Sequence, residues 1–106
     1  MTDKSPPEPF DPAAAGWVAH HEAGLIDLLG PLWRREEEGI RRMAFLAEER
    51  HRNFRGVVHG GMIMTFMDQA LGIASWQANG NQPQATIQLD VQFIDAVRPG
   101  EFVEAY

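Results

Sequence analysis

Cysteine is absent from all 106 residues, which excludes disulfides and thiolate chemistry and makes the cytoplasm the expected location. Long apolar runs are also missing, and none approaches the roughly 18 residues that a membrane-spanning helix requires. The opening Met1-Thr-Asp-Lys-Ser-Pro-Pro-Glu-Pro-Phe lacks the basic-then-apolar order of a secretory signal. Positive charge is scarce, with nine Lys and Arg against 15 Asp and Glu and a net charge of −6. That balance argues against general nucleic-acid binding.

The length suits one small domain, and a hydrophobic content of 44% is enough for a core that subunit association would reinforce. Residues 1–12 hold four prolines and little apolar content, so a disordered tail is expected there, followed by a single domain over 13–106. Ala13 to about Leu29 has helical character, anchored by Trp17, Leu25, Leu28 and Leu29 and ended by Gly30-Pro31. Glu36-Glu37-Glu38-Gly39 reads as a hairpin turn between a Leu32-Trp33 strand and an Ile40–Leu46 strand. The same residues also suit a helix over 32–50.

From Gly61 the pattern sharpens. Ile63, Phe66, Met67, Ala70, Leu71 and Ala74 recur at three- and four-residue spacing, the signature of a buried helical face. Met62, Met64, Ile73 and Trp76 broaden it, which predicts a helix covered on most sides. Thr86 to Ile94 alternates, with Ile87, Leu89, Val91 and Phe93 on one face and Thr86, Gln88, Asp90 and Gln92 on the other, predicting a half-buried strand. Arg98-Pro99-Gly100 makes a turn, and a strand begins at Glu101.

The segment with most chemical content is Asn53-Phe-Arg-Gly-Val-Val-His-Gly-Gly61, with Asp68 seven residues beyond it. Glycines at a helix start admit close approach to the backbone, where free N–H groups stabilise developing negative charge. A lone carboxylate on an apolar helix is costly to bury without a partner or a task. Together they suggest an oxyanion site and a base. Gly60 and Asp68, eight positions apart, would be separated by about 12 Å along one helix. Both must come within about 3 Å of a shared reacting atom. Two copies of the helix, antiparallel across a two-fold axis, can satisfy that, so joint action requires at least a dimer.

These residues resemble the hotdog-fold acyl-CoA thioesterases of the phenylacetate-pathway type (PaaI-like, in the superfamily of 4-hydroxybenzoyl-CoA thioesterase). The resemblance covers residues 30–106 through Asn53-x-x-Gly56-x-x-His59-Gly60-Gly61, Asp68, Thr86 and the Asp95–Glu101 turn. It implies an α+β hotdog fold, a long central helix wrapped by an antiparallel sheet, in homodimers that often form homotetramers. By resemblance, Gly60 supplies the N–H that polarises the thioester carbonyl, and Asp68 attacks that carbonyl or activates water. Asn53 lies near the thioester and the water, Thr86 orients the water, and His59 and Gly61 contact substrate. Coenzyme A is then part of the substrate, with no cofactor, no metal, no nucleic acid and no membrane partner. Relatives continue with two further strands, so the resemblance implies a domain truncated at its C-terminal end.

Other readings of the same residues are structural. Asp68 can pair with an arginine, Gly60-Gly61 can be a tight entry turn, and His59 can hydrogen-bond the loop. Asn53 can stabilise its own turn, and Thr86 suits any strand. The alternative function is a non-catalytic hotdog subunit that binds acyl-CoA or only dimerises. A hydratase of this fold is disfavoured, because His59 precedes Asp68 and no histidine follows it. His20-His21 has no further ligand at metal-binding spacing. Seven of the nine basic residues fall between Arg34 and Arg55. They form a face paired with Glu36, Glu37, Glu38, Glu48 and Glu49, or meet ligand phosphates.

Overall fold

The computed structural model describes residues 9–106. A hairpin turn shows why the first long strands form. Glu38 and Gly39 both take positive φ, 52° and 78°, the geometry that matches a two-residue turn to strand twist. It joins β2 (Leu32–Glu37) to β3 (Ile40–Leu46), pairing Leu32 with Phe45 and Glu37 with Ile40. The hairpin reading therefore holds, and the helix over 32–50 does not form. Flanking strands β1 (Val18–His20) and β4 (Phe102–Glu104) complete an antiparallel sheet in the order β1-β2-β3-β4.

The helix expected over Ala13–Leu29 breaks into a turn, the short strand β1 and a five-residue helix α1 (Leu25–Leu29). The physical cause is Gly16 and Gly24, at φ +93° and +101°, where a right-handed helix cannot pass. Asp11 closes the turn, its Oδ1 accepting from the Ala13 and Ala14 amides at 3.1 and 3.3 Å. The expected anchors divide accordingly. Trp17 is buried and meets Phe102 edge-on at 5.2 Å, whereas Leu25 and Leu28 are exposed and Ile26 enters the core instead. Of the tail expected over 1–12, residues 1–8 lie outside the described residues, and Phe10 packs on Phe102 with ring centroids 4.7 Å apart.

The long helix α2 (Gly60–Ala78) lies on the sheet face that carries Met43 and Phe45. Met62 and Phe66, four apart and so on one helical face, insert there, with the Phe66 and Phe45 rings 4.9 Å apart. Leu32, Ala47 and Val58 fill the surrounding space. The predicted cover on most sides is not observed in the single chain. Met64, Leu71 and Trp76 of α2 are exposed.

The strand expected at Thr86–Ile94 is not one either. The segment has no ladder partner among the described residues, and a strand without a neighbour has no backbone pairing to define it. Its alternation survives only in part, with Leu89 and Val91 half-buried while Ile87 and Phe93 are exposed. Among the described residues no helix is long and apolar enough to cross a membrane.

The Phe45–Phe66 seam gives a direct expectation. Phe45→Ala should cost about 3–5 kcal/mol, read as a lower denaturant midpoint at constant slope; a loss below about 1 kcal/mol would show that α2 is held elsewhere.

Candidate active site

The loop leading into α2 is organised by its own backbone. His59 donates its amide to the His51 carbonyl at 2.8 Å, Arg52 bridges Val58, and the Asn53 amide donates to the Val57 carbonyl at 2.7 Å. At the tip, Asn53 Oδ1 accepts from the Arg55 amide at 2.9 Å and the Val57 amide at 3.4 Å. Gly56 closes the turn at φ +87°, a conformation that side chains disfavour. Asn53 thus folds its own loop. The loop is also anchored sideways, because the Val58 amide donates to the Val97 carbonyl at 2.7 Å.

His59 is the N-cap of α2. Its Nδ1 accepts from the Gly61 amide at 2.9 Å, and its carbonyl accepts from the Met62 and Ile63 amides at 2.9 and 3.3 Å. With the His59 amide bonded to the His51 carbonyl, three of the four amides that a helix start leaves over, those of His59, Gly61 and Met62, are occupied. The Gly60 N–H has no partner among the described residues. The positive end of the helix dipole therefore carries one free donor, at Gly60. The Phe93 ring lies beside it, within 3.4 Å of where a Gly60 Cβ would stand.

Asp68 sits elsewhere. It is exposed halfway along α2, and Thr86 Oγ1 donates to its Oδ1 at 2.5 Å. Both line an open cleft of about 810 Å³, whose walls include Glu22, Leu71, Trp76 and Leu89. On the far wall Glu22 Oε2 accepts from Gln69 Nε2 at 2.5 Å and from His20 Nε2 at 3.2 Å, while Arg34 donates to His20 Nδ1 at 3.1 Å. The structure thus brings Asp68 and Thr86 together at mid-helix, and Asn53, His59, Gly60 and Gly61 together at its start. Because α2 is unbroken between them, about 12 Å of helix separates the two groups.

The arginines largely take the structural reading. Arg35, Arg41, Arg42, Arg50 and Arg52 pair with Glu37, Glu36, Glu37, Glu48 and Glu49. Arg55 lies over the exposed Phe54 ring. Among the described residues no cluster of three or more His, Asp or Glu could hold a metal ion. Sequence reasoning passed over the buried His51 and the Glu22–His20–Gln69 group. The spacing of Glu48 and His51, which form a reciprocal capping box, is a signal for the first. The second joins positions 47 residues apart and has no local sequence signal.

Comparison with known proteins bears on this geometry. Residues 55–106, which carry the helix start, Asp68 and Thr86, match the family described as the Thioesterase superfamily. A protein of Pseudomonas aeruginosa named "Putative esterase PA0474" is 31% identical over 102 residues, spanning 94% of this chain and 72% of that protein. The chain belongs to the thioesterase superfamily, with its α+β hotdog architecture of one long helix against an antiparallel sheet.

Proposed function

We propose that the chain hydrolyses acyl-CoA thioesters, as a member of the phenylacetate-pathway type within that superfamily. Family membership supports thioester or ester hydrolysis in general. The observation that carries the finer reading is the unpartnered Gly60 N–H on the same helix as the Asp68–Thr86 pair. The first suits an oxyanion donor and the second a carboxylate base beside a hydroxyl that can hold water, which is what thioester cleavage needs.

Since one chain holds them too far apart, the working unit is a dimer in which each site takes Gly60 from one subunit and Asp68 from the other. The exposed Met64, Leu71 and Trp76 on α2, together with Ile87 and Ile94, give a second copy of the chain apolar surface to cover. Pairs of dimers would make the tetramer. In each site the thioester oxygen accepts from the Gly60 N–H. Water, held by Thr86 and Asn53, gives its proton to Asp68 as its oxygen attacks the carbonyl carbon. The C–S bond then breaks, and coenzyme A leaves as a thiolate that needs little acid help. Asp68 is alternatively the direct nucleophile, forming an anhydride that water opens. His59 and Gly61 line the entry and hold the helix start in shape. No cofactor or metal takes part, and the expected location is the cytoplasm. A non-catalytic acyl-CoA-binding subunit is the second reading, favoured by the exposure of both Asp68 and Thr86.

Thiol release from aryl- and alkyl-CoA thioesters tests this. Asp68→Asn should abolish turnover and spare binding, whereas unchanged turnover would sink the mechanism. Gly60→Pro removes the N–H, puts ring Cδ in place of that hydrogen and brings Cβ into contact with Phe93. Proline suits the first helical position, and His59 already has the extended ψ of 134° that must precede it. It should lower kcat by about 10²–10³-fold. Mixing these two inactive variants should restore about a quarter of wild-type activity, because half the dimers would carry one intact site. No recovery, with subunit exchange demonstrated, would place both groups in one chain.

A further inference from the structure

Among the described residues, His51 is the one polar side chain that the fold buries, at 4% exposure. Its ring is bonded on both sides. Nδ1 accepts from the Glu48 amide at 3.0 Å, and Nε2 bonds the Leu29 carbonyl at 2.6 Å. An amide can only donate and a carbonyl only accept, so the ring is the neutral tautomer with its proton on Nε2. With no free nitrogen, His51 has no proton to exchange with a substrate. The ring meets Phe45 edge-on at 5.8 Å, at the centre of the core. Arg50 adds bonds from the same turn to the Leu28 and Gly30 carbonyls. The turn at 49–51 is therefore fastened to the end of α1 by side chains. The main chain of His51 acts in the other direction, its carbonyl accepting from the His59 amide at 2.8 Å. His59 is the residue that caps α2 immediately before the free Gly60 N–H.

We infer that His51 is the positioning residue for the Gly60 oxyanion donor, locating the start of α2 against the core and the end of α1. The inference rests on the thioesterase reading for its kinetic consequence, but not for its structural one. A buried ring bonded at both nitrogens has one allowed place, and its carbonyl fixes where the N-cap begins. A donor moved by about 1 Å costs on the order of 10²-fold in rate. His51 thus controls kcat without touching substrate.

The test compares wild type, His51→Phe and His51→Gln by amide hydrogen exchange and by steady-state kinetics. Phenylalanine fills the space and makes neither bond; glutamine can still donate to the Leu29 carbonyl. In His51→Phe, exchange at the His59 amide should rise about tenfold or more while the Phe66 amide keeps its protection. Its kcat should fall at least about tenfold with KM within about twofold. His51→Gln should lie between. Wild-type exchange at His59 in both variants overturns the inference. So does exchange rising equally along all of α2 with kcat falling in proportion, which is general destabilisation. Should His51→Phe fail to fold, His51→Gln decides alone, since raised exchange confined to His59 supports the inference and wild-type exchange overturns it. Exchange is read without substrate. Normal turnover by Asp68→Asn would therefore defeat the thioesterase mechanism and leave this result intact.

Discussion

The packing of Met62 and Phe66 into the sheet face made by Met43 and Phe45 is the interaction on which everything else in this chain depends. It joins the long helix α2 to the centre of the β1-β2-β3-β4 sheet. A helix of 19 residues has no stability of its own to spare in water, and an apolar face pressed against a partner is what holds it. Because Gly60 and Asp68 lie on one unbroken helix held by that seam, the Gly60 amide and Asp68 are kept at a constant separation. A flexible connection would allow both groups to reach one substrate. A packed helix forbids it, which is why the mechanism proposed above calls for two copies.

The start of α2 and its middle, around Asp68, have different surroundings. At the start, His59 consumes the Gly61, Met62 and Ile63 amides and leaves Gly60 open, while His51 and the Arg52–Val58 bridge hold the approach. Burial and hydrogen bonding are dense there. Around Asp68 the surroundings are open, with Thr86 on a segment that lacks a ladder partner. The Gly60 N–H is held in place by the single chain, whereas the Asp68 side exposes apolar surface and a segment without a ladder partner among the described residues. Preorganised donors contribute most where water is excluded. Covering Leu71, Trp76 and Ile87 by a partner would supply that exclusion.

Charge has a supporting role. The glutamates at 36, 37, 48 and 49 pair with arginines close in sequence or across the hairpin. Such half-exposed pairs contribute little each, yet they neutralise a basic segment in an otherwise acidic chain. Arg50 differs, since it also reaches the carbonyls at the end of α1 and helps fasten the turn that carries His51.

What the sequence determined by itself is local. The helix at Gly60–Ala78 was legible because the three- and four-residue spacing of Ile63, Phe66, Met67 and Ala70 needs no distant partner. The β2–β3 hairpin was legible in part: Gly39 suits positive φ, but the same residues also suited a helix over 32–50 until the ladder to β3 decided it. The chemistry-bearing residues stood out by type and spacing, and the resemblance followed from them. What only tertiary structure decided depends on distant partners. Ala13–Leu29 looked helical from its alanines and leucines, but Trp17 gains more by meeting Phe102, and Gly16 and Gly24 let the chain turn to reach it. Thr86–Ile94 has a strand's alternation, but alternation cannot supply a neighbour, and no strand pairs with it among the described residues. For His51 the sequence offers only its spacing from Glu48. Its importance lies in bonds to Leu29 and, through its backbone, to His59, and a hydrogen bond between distant positions leaves no periodic trace in the sequence that folds to make it.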